Sequence, residues 1–263
     1  MAHRGGSLEG IENTLPAFAH AVSAGANMLE LDVHSTKDGH VVVFHDDDLG
    51  RMCGNEFFGR GVGDFDLAQL PLLIVPETLE KVVKEDDLEA RRMPLLEDVF
   101  RAHPSIPISI DVKHGSEEMI IKVGTLIKQY NRTNNTVWGT FAKHQTDLCY
   151  THFPEIPLHF CKSSVIYSVA MYWLGMGDWI SYRESVMAIP DIPILMRKGY
   201  VETMQRRGIL VLFWGNGKEA GGPGGGVNTP EKFEALTRIG VDGICTDRPE
   251  FLKEWLGSRE QSA

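Results

Sequence analysis

The sequence predicts an α/β fold on a parallel sheet, closed as a TIM-type (β/α)8 barrel with a truncated first strand and a small insertion after the second strand. Three observations predict it. Short apolar runs of strand type alternate with helical stretches along nearly the whole chain. The 263 residues suit the roughly 250 that such a barrel needs. Titratable residues gather where the apolar runs end, and the carboxyl ends of parallel strands are where such folds place their chemistry. An open doubly wound sheet is the architectural alternative.

Seven runs read as strands, over residues 28–33, 107–112, 136–139, 157–160, 186–189, 209–214 and 242–246. The chain begins Met1-Ala2-His3, so the remaining strand is expected in truncated form, because a ring of seven leaves two unpaired edges. Helices are expected over 14–24, 95–103, 117–130, 144–152, 165–173, 197–207, 229–239 and 249–256. Asn13 is placed to cap the first, with Pro16 in its opening turn, and Thr229-Pro230-Glu231 repeats that logic late in the chain. Residues 41–45 pair naturally with 28–33 through the turn Asp38-Gly39, and 50–92 reads as an insertion with no domain of its own. Gly221 to Gly226, broken only by Pro223, reads as a loop without the Gly-Lys-Ser/Thr ending of a P-loop. The expectation is one barrel domain, 1–263.

Hydrophobic residues at 43% and charged residues at 24% argue against a largely disordered chain and against a membrane bundle. A net charge of −10 repels phosphate backbones, so no nucleic-acid partner is expected. Cys53, Cys149, Cys161 and Cys245 lie far apart and read as reduced structural thiols. No signal-like apolar run opens the sequence, and the longest uncharged stretch, Ser163 to Gly177, is shorter than the roughly twenty residues a spanning helix needs. The expected location is cytoplasmic or peripheral to a membrane, with membrane anchoring if an N-terminal segment precedes this sequence.

Four strand ends carry candidate chemistry. Glu30 and Asp32, two apart in a strand, point to the same face, where like charges repel unless a cation such as Mg²⁺ or Ca²⁺ joins them; a surface carboxylate pair is the plain alternative. Asp111 and Lys113 repeat the spacing, as a third metal carboxylate with an anion-holding amine or as a simple ion pair. His45 ends the run Val41 to Phe44, and His3 stands beside Arg4 and two glycines. Imidazoles pass protons near neutral pH and guanidinium suits phosphate oxygens. His34 continues the Glu30–Asp32 face, while His20, His103, His144, His152 and His159 read as structural. An oxygen-ligated metal, two anion-binding cations and two proton carriers suit attack on a phosphodiester, whereas no Gly-x-Ser-x-Gly elbow marks a serine hydrolase.

His3-Arg4-Gly5, Glu12-Asn13-Thr14, Glu30-Leu31-Asp32-Val33, Thr36-Lys37-Asp38-Gly39, Val42 to Asp46, Met93-Pro94-Leu95-Leu96, Ile110-Asp111-Val112-Lys113 and Ile244 to Pro249 together resemble the glycerophosphodiester phosphodiesterase family. Asp111, where many members carry Glu, with Tyr130-Asn131-Arg132 and Thr136 to Gly139, is similar to the animal-type lysophospholipase D subgroup. The resemblance implies a (β/α)8 barrel in which Glu30, Asp32 and Asp111 bind one Mg²⁺ or Ca²⁺. It implies His3 and His45 as the acid–base pair, with Arg4, Lys113 and Trp214 on the substrate. It also implies hydrolysis of a lysophospholipid to lysophosphatidic acid and a free alcohol. The alternatives are a glycerophosphodiesterase for small head groups and a catalytically inactive barrel that binds phospholipid head groups. The sequence departs from the family before His3, where the strand and the usual N-terminal membrane segment are absent, around 180–200, which is shorter, and at Trp214-Gly215-Asn216.

Val165, Ile166, Val169, Tyr172, Trp173, Met176, Trp179 and Ile180 recur at helical spacing. Packing against the barrel is the expectation for its valines, while Tyr172 and the two tryptophans suggest an edge exposed beside the site's mouth that receives a lipid tail and makes peripheral membrane contact.

Overall fold

The computed structural model describes residues 1–215 and 225–260. Its strands are β1 (Leu29–Ser35), β2 (Val41–Val43), β3 (Ile108–Val112), β4 (Thr136–Gly139), β5 (Val186–Pro190), β6 (Leu210–Trp214) and β7 (Gly243–Ile244). Its helices are α1 (Leu15–Ser23), the short α2 (Gly50–Cys53), α3 (Leu96–Ala102), α4 (Glu117–Gln129), α5 (Lys143–His152), α6 (Lys162–Trp173), α7 (Lys198–Arg206), α8 (Pro230–Ile239) and α9 (Pro249–Glu260). Two sheets, ordered β2-β1-β3-β4 and β5-β6-β7, become one ring through single-residue bridges: Trp138 to Leu158, His159 to Val186, and Ala2 to both Leu29 and Thr246. Following paired residues once around the ring returns eight residues out of step, the shear of a TIM barrel. The open sheet is thereby excluded.

The first strand is shorter than any regular strand and still closes the ring. Ala2 N–H donates to Met28 O at 2.9 Å, Glu30 N–H to Ala2 O at 2.9 Å, His3 N–H to Thr246 O at 2.9 Å and Thr246 N–H to Met1 O at 3.0 Å. Two residues thus supply the backbone pairing that fixes His3 at the barrel's upper end. The strand expected over 157–160 is likewise reduced to the bridges at Leu158 and His159.

Alternation with period two divides each strand between two environments. Leu29, Leu31 and Val33 of β1 and Ile108, Ile110 and Val112 of β3 face outward into one core beneath α1, α3 and α4. Met187 and Ile189 of β5 with Val211 and Phe213 of β6 face outward into a second, beneath α7 and α8. Inside the ring, Val137, Val186 and Leu212 pack with Met1 and Met28. Met1, Met28, Val186 and Leu212 each stand two residues before a residue that lines the upper cavity, so this apolar layer is the cavity's floor.

The insertion folds as α2 and a series of 3-10 turns over a small core of its own, in which Leu49, Met52, Val62 and Leu73 pack against Val42 and Phe44. β2 pairs antiparallel with β1, Val43 opposite Val33, as the Asp38-Gly39 turn predicts. One cap is corrected. Thr14, not Asn13, caps α1, its hydroxyl accepting Ala17 N–H at 3.4 Å, while Asn13 adopts φ +59 and turns its amide inward. Asn216 and most of the Gly-rich run, up to Gly224, fall outside the described residues. All four cysteines are buried free thiols. Among the described residues no helix is long and apolar enough to cross a membrane.

Candidate active site

The strand ends converge on one cavity of about 730 Å³, open mouth included, at the upper end of the barrel. His3, Arg4, Glu30, Asp32, His45, Asp111, Lys113 and Trp214, every residue singled out by sequence for chemistry, line it. His34 does not line it; its Nε2 donates to the His45 carbonyl at 3.3 Å, so it braces the strand end that carries His45.

Arg4 stands on a left-handed turn, with φ +51 followed by Gly5 at +82 and Gly6 at +97. A Cβ on Gly5 would meet Phe18 at 2.9 Å, so glycine is required there for space as well as for conformation. This turn aims the Arg4 backbone N–H at Glu30 Oε2 (2.8 Å) and its guanidinium at Glu12 (3.0 Å) and Asp32 (3.7 Å). Lys113 Nζ lies 2.8 Å from Asp32 and 2.5 Å from Asp111, so the simple ion pair and the shared cavity are both realised. Asn13 Nδ2 donates to the other oxygen of Asp32 at 3.1 Å.

These contacts set the charges. Burial opposes ionisation of Asp32, but Lys113, His45 and Arg4 outweigh it and hold its carboxyl far below the ordinary range. Glu30 goes the other way: burial, reinforced by the charge of Asp32, raises its pKa. For His3, burial disfavours the imidazolium, and the hydrogen bond to Asp247 with the charge of Glu30 overcomes it, leaving the pKa raised. The Asp247 carboxylate, 2.6 Å from His3 Nδ1, also accepts from Ser7, Asn228 and the Gly226 N–H, and it is held down to about 2 against its burial. His45 Nδ1 is 2.7 Å from Asp46, which Arg51 grips in turn at 2.5 Å.

A model of the glycerophosphoryl diester phosphodiesterase family matches residues 3–251. The chain belongs to that family. It is 33% identical over 284 residues to a Rattus norvegicus protein named lysophospholipase D GDPD1, covering 98% of this chain and 86% of that one. Its fold matches the crystal structure of a putative glycerophosphoryl diester phosphodiesterase from Silicibacter pomeroyi at a TM-score of 0.75 and 21% identity, covering 98% and 92% of the two chains. It also matches an Oleispira antarctica phosphodiesterase in complex with the product sn-glycerol-3-phosphate, at 0.73 and 19%, covering 97% and 95%. As a glycerophosphoryl diester phosphodiesterase the chain is a phosphoric diester hydrolase on a (β/α)8 barrel.

This family member holds site residues that the sequence reading passed over. Asp247 orients His3, and its sequence signals are an acid following the last apolar run and its place within Ile244 to Pro249. Ser109 lines the cavity two residues before Asp111. His159, read as structural, lines it too, together with Phe141, Phe160 and Ala188. The alternation Leu158-His159-Phe160 was the available signal, since Leu158 and Phe160 belong to the outer cores and leave His159 pointing inward. Conversely, the one trio of His, Cys, Asp or Glu ligand atoms lying within 4.8 Å of one another, among the described residues, is Glu9–His20–Glu250, outside the cavity. There Glu9 accepts the Glu250 and Phe251 N–H groups at the start of α9 while His20 lies 3.1 Å from it, a polar clasp between the first and last helices.

The valines of the apolar stripe pack against the barrel as expected, whereas the exposed edge expected beside the cavity's mouth is not formed. Val165, Val169 and Tyr172 pack into the core beneath α7, and none of the stripe lines the cavity. Trp173 lies on the outer wall under the Arg197 guanidinium, 4.9 Å away. Trp179, 83% exposed, follows Asp178, whose carboxylate pairs with Arg206 at the last residue of α7. α7 descends to the short turn before β6, so Trp179 stands at the end of the barrel remote from the cavity.

Proposed function

We propose that this cavity hydrolyses the phosphodiester of a lysophospholipid, with Glu30, Asp32 and Asp111 holding one divalent cation, Mg²⁺ or Ca²⁺. The observation that carries the reading is the meeting of three carboxylates, two imidazoles, Arg4 and Lys113 in one cavity. The donor set fits a hard cation: it is all oxygen, and the charge of Asp32 helps to raise the pKa of the half-buried Glu30, a repulsion that a cation relieves. When bound, the ion neutralises charge on phosphoryl oxygens.

Arg4 and Lys113 hold the phosphate from two sides. Their present partners, Glu12, Asp32 and Asp111, keep both charged and aimed into the cavity. His3, with Nδ1 committed to Asp247 and its pKa raised, is the imidazolium that protonates the leaving oxygen. His45, with Nδ1 on Asp46, presents Nε2 to take the proton of the nucleophile. Trp214 takes the organic portion of the substrate. The whole chain, 1–263, is read as this one barrel domain.

The name of the rat relative, lysophospholipase D, supports a lysophospholipid as the substrate type, and lysophosphatidylcholine, cleaved to lysophosphatidic acid and choline, is the representative to test. The glycerol phosphate in the Oleispira structure favours a second reading, a glycerophosphodiester with a small head group. An inactive barrel loses its basis, since Met1 and Ala2 fill the place of the strand before His3. Choline release from lysophosphatidylcholine and from glycerophosphocholine, with and without excess EDTA, tests the proposal. Faster, EDTA-sensitive release from the lysolipid is expected; turnover unaffected by EDTA overturns the metal assignment, and faster release from glycerophosphocholine overturns the lipid preference.

A further inference from the structure

The apolar side of the cavity contains one titratable side chain. Phe141, Ala188 and Trp214 form that side, and His159 is set among them, 7% exposed. Its ring is held on two sides. Phe141 packs at 6.3 Å between centroids, and Gly139 leaves the space beneath: a Cβ there would lie 3.1 to 3.3 Å from Cε1, Nε2 and Nδ1. Nδ1 lies 3.4 Å from the Phe160 carbonyl, an oxygen that only accepts, so Nδ1 carries the hydrogen. In the neutral ring Nε2 is then an acceptor, and among the described residues it has no partner. A fixed acceptor on an otherwise apolar wall of a ligand cavity is the arrangement that selects a ligand carrying a donor.

We infer that His159 is a specificity-determining residue, whose Nε2 accepts a hydrogen bond from a free hydroxyl on the glyceryl part of the substrate. The inference rests on the phosphodiesterase reading and deepens it: the favoured substrate class is one whose glyceryl unit keeps an unesterified hydroxyl beside the phosphate. Gly139 is the positioning residue, because a side chain there displaces the ring.

The test measures binding, so it holds whatever the rate of turnover. sn-Glycerol 3-phosphate and propyl phosphate share a phosphate monoester and a three-carbon chain and differ in two hydroxyls. Their dissociation constants are determined by calorimetry for the wild type, His159→Leu, His159→Gln and Gly139→Ala in Mg²⁺ buffer. The wild type is expected to prefer glycerol phosphate by roughly 5- to 150-fold, the range for a buried polar group satisfied or left unsatisfied. His159→Leu should erase the preference while still binding propyl phosphate, which also shows that the variant is folded. His159→Gln should keep part of it, and Gly139→Ala should lose most of it. An undiminished preference in His159→Leu overturns the inference, as does a wild type that binds both ligands alike or neither. A wild type that discriminates the two ligands but cleaves no phosphodiester supports the role of His159 and overturns the proposed function instead.

Discussion

The two halves of the barrel present opposite faces to the same cavity. The half built from β7, Met1–Ala2, β1 and β3 turns His3, Glu30, Asp32, Ser109, Asp111, Lys113 and Cys245 inward, and the half built from β4, the 158–159 bridges, β5 and β6 turns Phe141, His159, Ala188 and Trp214 inward. Both halves obey the same alternation and cover their outer faces with the same kind of aliphatic core. The difference lies wholly in the inward positions. One half concentrates charge that must be mutually compensated, and the other offers surface on which the organic part of a substrate lies. A single ring therefore separates bond-breaking from recognition by strand number.

The comparison breaks most sharply on the charged side. Removing divalent cations with excess EDTA should abolish phosphodiester turnover, measured as choline release, and excess Mg²⁺ or Ca²⁺ should restore it. His3→Ala and His45→Ala should each lower kcat by on the order of 10²- to 10⁴-fold, the worth of a positioned acid or base. A steady-state assay showing near-normal kcat in either variant removes that imidazole from the proton transfers.

A smaller effect separates His3 from its orienting carboxylate. In Asp247→Asn the ring loses the hydrogen-bonded charge that overcomes burial, so its pKa falls. The alkaline limb of the pH–rate profile should therefore move to lower pH than in the wild type. Stability follows with a defined sign. Asp247, about 2 when folded against an ordinary 3.8, contributes stability present above 3.8 that is lost as pH falls towards 2. His3, raised above 6.5, contributes stability present below 6.5 that is lost as pH rises through its folded value. The Tm difference between wild type and Asp247→Asn should thus be greatest at about pH 4 to 6.5 and shrink on either side.

Most of the ring was legible because its signal is local. Residues 136–139 are read at the bounds β4 takes, and α8 opens with Pro230 in its first turn as expected, although the Thr229 side chain makes no capping hydrogen bond. Local signals fail where pairing is decided at a distance. Two residues, Met1 and Ala2, carry no strand periodicity, yet their neighbours in the ring supply every bond a strand needs. Asn13 and Thr14 are equivalent as caps in sequence, and only the position of Asp32 shows why the asparagine turns inward. The charged half was readable from residue type alone, since two acids set two apart in an apolar run share one face and require a counter-charge there. The apolar half was not, because Phe141 and His159 look like core until the ring shows which way they point.

Two tryptophans mark the smallest effects and bear directly on which surface meets the substrate. Trp214 stands on the inward face at the end of β6, and Trp214→Ala should raise KM for lysophosphatidylcholine on the order of tenfold, in line with the 1.5–3 kcal/mol of a large apolar side chain covered by ligand. Trp179 is far more exposed, and composition alone would favour it as the lipid-binding ring. The fold reverses that order: Trp179 lies beside the Asp178–Arg206 pair at the end of α7 remote from the cavity. With monomeric short-chain lysophosphatidylcholine, Trp179→Ala should leave kcat and KM within about a factor of two of the wild type, as for surface substitutions away from a site. A KM raised by Trp179→Ala as much as by Trp214→Ala would place lipid contact on the outer wall and undo the division of labour between the two halves of the ring.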